Sequence, residues 1–233
     1  MKNINFIVFT LVAFAMVCVS GCVKPTITST APVVDFDGNG YDTVRIGTQT
    51  WLVENLKTTH YRNGDAVQFV SGTGIWDGLT TGAFCIYNND ASIANTYGCL
   101  YNYQAATDPR NIAPVGWRVP TLADWNTLMA YYGGGSPSNG SIVAGGHLKE
   151  AGTAHWNAPN TGADNSSGFN ALPGGGRLHN DIFNNLGQYA VFWSNTSSTT
   201  NDNYFELGYN YAAIAGGNST GFPLGLSIRC IKE

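Results

Sequence analysis

Cys22 has the most specific chemistry that can be read from the chain. It closes the run Val19-Ser20-Gly21-Cys22, which follows Lys2 and an apolar stretch from Phe6 to Val19 interrupted only by Thr10. A charge, a short apolar core and small residues at a cut form the order of an export signal. The core is shorter than the roughly 20 apolar residues of a spanning helix. Small residues directly before a cysteine admit a lipoprotein peptidase, and the thiol then carries the lipid. The expectation is a signal peptide over 1–21, palmitate-type acylation at Cys22, and display in the bacterial cell envelope outside the cytoplasm, on the outer membrane or cell surface. An ordinary secretory signal that happens to contain a cysteine is the alternative. One acyl chain, at about 0.8 kcal/mol per buried CH2, binds a membrane marginally, and two or more hold firmly.

A second set could hold a cation. Asp35-x-Asp37-x-Asn39-Gly40 places oxygen ligands at alternate positions and a glycine at the sixth, as in the first half of a calcium loop. The twelfth position, where a bidentate glutamate belongs, is Ile46, so a solvated acidic turn is the better reading of Asp35, Asp37 and Asn39. Asn157, Asn160, Asp164, Asn165 and Ser166 make another oxygen-rich stretch, of the kind whose amides bond local backbone. The four histidines, His60, His147, His155 and His179, show no zinc-protease spacing. There is no nucleophile elbow and no phosphate loop, since Gly174-Gly175-Gly176 lacks a following Lys-Ser/Thr. The sequence points to a non-catalytic protein with no resident cofactor.

A third set could bind without catalysing. Residues 193–220 are dense in Tyr, Asn and Ser, the composition of antibody paratopes, where rigid amphipathic rings work beside small adaptable hydrogen-bonders. Trp193, Asn195, Tyr204, Tyr209 and Tyr211 are the candidate ligand contacts, for a glycan or a protein. Trp51, Trp117 and Trp125 fall in strand or helix patterns and read as core. Trp156 and Trp193 border loops.

The whole chain sets limits on these readings. It carries 15 acidic against 11 basic residues, a formal charge of −4. That excludes nucleic acid as a partner, because phosphate contacts need clustered basic side chains. Charged residues are 11% of the chain, against about 25% in an average soluble domain, and aromatics at 12% exclude disorder. Beyond Cys18 and Cys22 lie Cys85, Cys99 and Cys230. An oxidising compartment permits one pair and one odd thiol. Sequence alone does not give the connectivity, and Cys85–Cys230 is the favoured bridge.

The elements that would position these residues are few. A polar tether, 22–34, leads from the lipid to one domain, 35–233. Thr43–Ile46, a Gly47-Thr48 turn and Gln49–Val53 read as a hairpin. The clearest helix is 121–132, with Thr121 as N-cap, Asp124 completing a capping box, Leu122, Trp125, Leu128, Met129 and Tyr132 on one face, and Gly133-Gly134-Gly135 as the stop. A glycine-serine loop then runs to about Gly146. Short strands are expected at 168–172, 189–194, 203–208, 211–215 and 225–231.

Six strings, "DGNGYDTVRIGTQTWLVENL", "YGCLYNYQAAT", "GWRVPTLADWNTL", "LKEAGTAHWNAPNTGADNSSGFNALPGGGR", "FWSNT" and "LSIRCIKE", resemble the Fibrobacter succinogenes major paralogous domain, from about Asp35 to Glu233. Members are exported bacterial proteins and lipoproteins. The "WRVPT…W" and terminal "RC" elements are also similar to the formylglycine-generating-enzyme branch of the C-type lectin-like fold. The resemblance implies an α+β domain: a small twisted sheet, one main helix and long loops that carry recognition. Only Cys230 lies beyond Cys99, so the cysteine-pair chemistry of the formylglycine-generating enzymes is not expected. The Glu-Pro-Asn, Gln-Pro-Asp and Trp-Asn-Asp strings of calcium-dependent lectins do not occur. A structural envelope protein is the second reading, and a hydrolase or modifying enzyme the third.

Overall fold

A computed structural model describes residues 32–133, 142–196, 203–219 and 223–233. The expected export signal, Cys22 and nearly all of the expected tether lie outside the described residues. The order of elements begins with β1 (Val33–Val34), β2 (Gly40–Tyr41), β3 (Thr43–Ile46) and β4 (Gln49–Leu52). β5 (Gln68–Phe69) and β6 (Ala83–Cys85) follow, then helix α1 (Ala94–Tyr97), β7 (Leu100–Tyr101) and α2 (Tyr103–Thr107). Next come β8 (Trp117–Arg118), α3 (Leu122–Tyr131) and α4 (Ala144–Leu148). The chain ends with β9 (Gly174–Arg177), β10 (Phe183–Leu186), β11 (Tyr189–Trp193), β12 (Tyr204–Gly208), β13 (Ile214–Gly217) and β14 (Ile231–Lys232).

The architecture is α+β, built among the described residues from short helices and five small sheets where a single small sheet was expected. The central one has the order β3-β4-β14-β8. Its hairpin β3–β4 pairs Ile46 with Gln49 across Gly47, whose φ of +60° suits a tight hairpin turn. The C-terminal β14 sits between β4 and β8, with Leu52 N–H donating to Cys230 O at 3.0 Å, so the two ends of the domain close on each other. The sheet β11-β12-β13 is an antiparallel meander.

Helix α3 forms where its pattern places it. Thr121 Oγ1 accepts from Asp124 N–H at 3.3 Å and Asp124 Oδ2 accepts from Thr121 N–H at 2.7 Å, the reciprocal pair that satisfies two orphan donors. Arg118 grips the same carboxylate at 2.6 and 2.9 Å. Trp125, Leu128 and Met129 are buried. The Trp125 ring stacks on Phe192 and Phe205, with centroids 5.8 and 5.1 Å away. These residues join Trp51, Trp156, Phe169 and Leu207 in one apolar cluster. A second cluster gathers Tyr41, Leu52, Tyr101, Trp117, Val191, Trp193 and Ile228. A small third one holds Val70, Trp76, Ala83, Cys85 and Leu100.

Three cations are buried in this loop-rich interior. Lys149 Nζ donates to the carbonyls of Thr161, Gly208 and Tyr211 at 2.8–2.9 Å. Arg229 donates to Leu52 O, Phe169 O and Asn55 Oδ1, with its guanidinium over the Phe169 ring at 4.4 Å. Arg177 reaches Val70 O and Gly72 O at 2.9 Å, pairs with Asp181, and lies 4.7 Å from the Trp76 ring centre. Each ties backbone carbonyls of separate loops to one point, meeting the rule that buried polar groups need partners.

Several expectations are corrected. Residues 168–172 are not a strand; only Ala171 bridges, to Lys149. The strand in this region is the glycine run Gly174–Arg177. A Cβ at Gly175 would sit 2.4 Å from Asn184 O, so only glycine permits that pairing with β10. The loop expected to reach Gly146 gives way to α4. The Cys85–Cys230 bridge is absent: both thiols and Cys99 are free and buried. Cys85 belongs to the third cluster and Cys230 to the second, so different layers of the core hold them apart. Burial pushes the Cys85 thiol up to about 11, and Cys99 and Cys230 up to about 12, which leaves all three protonated at neutral pH.

Candidate recognition face

Strands β11, β12 and β13 alternate, so one face carries Ala190, Phe192, Phe205, Leu207 and Ile214, all in the cluster around Trp125. The cross-strand register places Tyr189, Val191, Trp193, Tyr204, Glu206, Ala215 and Gly217 on the other face. There the floor is glycine. A Cβ on Gly217 would lie 2.2 Å from the Tyr204 ring, and one on Gly208 would lie 2.5 Å from the Tyr211 ring. Both rings therefore pass close over glycine backbone, half-buried. Tyr211 donates its phenol to Glu206 Oε1 at 3.1 Å, and the Tyr189 ring stands 6.3 Å from it at 59°. Burial and then the Glu206 charge push the Tyr211 phenol above its usual range, so it remains a donor. From beneath, Lys149 holds the carbonyls of Gly208 and Tyr211, which fixes the turn that carries the ring. Burial lowers this ammonium to about 8, and the three carbonyl oxygens hold it as the charged donor at neutral pH.

Of the five contacts expected from sequence the face carries Tyr204 and Tyr211, over Gly217 and Gly208 at opposite ends of β12. Trp193 is a correction: it is fully buried, donates Nε1–H to Tyr101 O at 2.7 Å and packs on the Tyr103 ring at 5.3 Å. It fills the space where the sheet meets the second cluster, so it reaches no ligand. Tyr209 packs against the Trp125 cluster, on the opposite side from Tyr211. Asn195 is exposed, its N–H bound to Pro120 O at 2.7 Å, beyond the strand end. Ser197 and Asn201 of the same tract lie outside the described residues. Sequence reasoning missed Tyr189 and Glu206. Their signal is the two-residue period of strands 189–194 and 203–208, which puts them on one face with Tyr204.

The Asp35 loop is not arranged for a cation. Asp35 accepts from Asp37 N–H, both Asn39 nitrogens and Tyr41 Oη at 2.6–3.0 Å. Asp37 accepts from Thr58, Thr59 and His60. Burial opposes ionisation of Asp37, but the Thr59 N–H and the Thr58, His60 and Thr59 side chains outweigh it and hold the carboxyl below its usual range. These oxygens fasten the β1–β2 loop to the body of the domain. Among the described residues no group of three or more His, Cys, Asp or Glu is placed to hold a metal.

Three histidines share one arrangement: His60 Nδ1 meets Asp37, His147 Nδ1 meets Asp164 and His155 Nδ1 meets Glu150, at 2.5, 3.0 and 2.8 Å. Ser166 Oγ bonds the same His147 nitrogen as Asp164, at 2.8 Å. A serine–histidine–aspartate relay needs the two partners on opposite ring nitrogens, so this trio moves no proton from serine as arranged. In the 157–166 loop, Asn160 Nδ2 donates to Glu150 O and Gly152 O.

The profile described as the Fibrobacter succinogenes major domain matches residues 44–232. No curated protein and no solved structure matches the chain.

Proposed function

The chain belongs to the Fibrobacter succinogenes major domain family, and we propose that this member is a membrane-anchored exported lipoprotein displaying a non-catalytic, lectin-like recognition domain. The observation that carries the reading is the outer face of β11-β12-β13: the Tyr204 ring over Gly217 at one end, the Tyr211 ring over Gly208 at the other, Tyr189 beside Tyr211 and Glu206 as its acceptor. Flat half-exposed phenol rings stack against the C–H faces of a sugar, or against an apolar side chain of a protein, and a neighbouring carboxylate accepts hydroxyl or amide donors. Such a face needs no metal, in keeping with the engaged carboxylates of the Asp35 loop. Anchoring through Cys22 follows from the Val-Ser-Gly-Cys string and would hold the face outside the cell membrane's inner side, in the envelope.

The test is binding of the soluble chain, from residue 24 onward, to arrayed bacterial, plant and mucin glycans, with and without EDTA. Saturable binding that EDTA leaves intact and that Tyr211→Ala or Glu206→Gln abolishes supports a sugar ligand. A blank array with folded protein sinks the sugar ligand and assigns the face to a protein partner. Binding unchanged by both substitutions sinks the face itself.

A further inference from the structure

The first residues of the described domain form a second surface. Val34 and Phe36, 52% and 57% exposed, stand with Val115, 80% exposed, around one shallow pocket of about 110 Å³. Phe36 does not project by chance. The carboxylates on either side of it are both turned inward, Asp35 onto Asn39 and Tyr41, Asp37 onto Thr58, Thr59 and His60. Its ring lies 5.3 Å from the His60 ring, and a Cβ on Gly64 would come within 2.8 Å of it. Val115 is presented in the same way. Arg62 donates to Ala113 O at 3.3 Å and to Pro114 O at 2.9 Å, which pins the turn beneath it. Arg62 is itself paired with Glu233 at 3.0 Å. The result is a set of fixed apolar prongs whose neighbouring carboxylates and guanidinium are already hydrogen-bonded within the chain.

We propose that this face rests on a phospholipid bilayer, with Phe36, Val34 and Val115 entering its interfacial layer. The inference rests on the Cys22 anchor of the proposed function. The argument is the length of chain between lipid and domain. Residues 23–31 separate Cys22 from Pro32. Nine residues reach at most about 30 Å, while a domain of this size is about 40 Å across. The surface around Pro32 is thus the one held against the membrane, and the prongs are on it. Tethering turns a weak contact into an intramolecular one, so three side chains suffice where a free protein would need many.

The six native tryptophans are buried, so quenching in excess of that of the unsubstituted chain reports a tryptophan added at the surface. The experiment compares Val115→Trp with Ala151→Trp, an exposed loop position outside the pocket lining, in vesicles of phosphatidylcholine with brominated acyl chains. Two preparations are used: the mature chain purified with its native N-terminus, and the chain from Cys22 coupled through that thiol to a maleimide lipid. Docking gives bromine quenching of the added fluorescence severalfold greater for Val115→Trp than for Ala151→Trp, and adding Phe36→Asp removes the excess. Equal quenching at the two positions in the coupled chain overturns the proposal. A native N-terminus without acyl mass, together with position-dependent quenching in the coupled chain, removes the natural anchor and leaves the docking face standing.

Discussion

The two faces of the β11-β12-β13 sheet differ in how far they are sealed: the first lies wholly in the Trp125 cluster, and the second, proposed for recognition, is core only at Val191 and Trp193. On one face every side chain is sealed into the aromatic cluster of Trp125, Phe192 and Phe205. On the other, beyond Val191 and Trp193, half-exposed tyrosines lie over glycine. The inner face is filled by volume, and any vacancy there costs contact. The outer face is shaped by the absence of Cβ atoms, so its rings have room to meet something else. One backbone thus serves two purposes, because strand alternation separates them by a single residue.

The strongest way to break this division is on the inside. Phe192→Ala should cost about 3–5 kcal/mol in urea denaturation, the range for truncating a buried phenylalanine. Tyr211→Ala, on the outside, should cost about 1 kcal/mol, in proportion to the smaller apolar area it buries. If the two losses are equal, the faces are not energetically distinct.

Lys149 joins the faces, and its effect should come next. Lys149→Met leaves three carbonyl oxygens without a donor, at about 1 kcal/mol or more each, and should cost about 3 kcal/mol. The pH dependence has a definite sign. Lys149 titrates at about 8 in the fold, against about 10.4 in the unfolded chain. Between those values the unfolded chain holds more protons at this site, so this residue's contribution to stability rises with pH. The advantage of the natural chain over Lys149→Met should therefore widen between pH 8 and 10, as read from urea midpoints. A constant gap means the buried ammonium is not depressed.

Two glycines sharpen the same contrast at smaller scale. Gly175→Ala places a methyl against a backbone carbonyl at a φ of +61°, and strain of that kind costs about 1–3 kcal/mol. Gly217→Ala meets only the far end of the Tyr204 side chain. It should leave the melting temperature nearly unchanged while lifting the ring and weakening ligand binding. The smallest effect is at the β1–β2 loop. Asp37 has a folded pKa held below that of the unfolded chain, so its stabilisation is complete above pH about 4 and is lost as pH falls through the folded value. Asp37→Asn should flatten that acid limb of the stability curve, and an unaltered limb would show that the His60 and Thr59 bonds do not depend on the charge.

What was legible in the chain was whatever side chains announce. The β3–β4 hairpin, the capping box of α3, and strands β11 and β12 stand close to where pattern and turn chemistry put them. The family was legible in long ordered strings. The site was legible only in part: Tyr204 and Tyr211 share a face, while Trp193 is core and Tyr209 packs on the other cluster. Composition reports which residues a segment has, and only register reports which side they take. Strand β9 was hidden because its glycines carry no pattern, and its cause, backbone approach to Asn184, is tertiary. The buried cations were hidden for a related reason. Lys149, Arg177 and Arg229 have the residue types of a surface, and nothing local tells that carbonyls from distant loops converge on them.

The unjoined thiols of Cys85, Cys99 and Cys230 bear on how such a chain is made. Crosslinks that must form after export tie maturation to an oxidant and to a catalyst that sorts the pairs. Here the loops are drawn together by cations and carbonyls, which need neither. The packing of the described residues therefore does not rest on a crosslink among these three thiols.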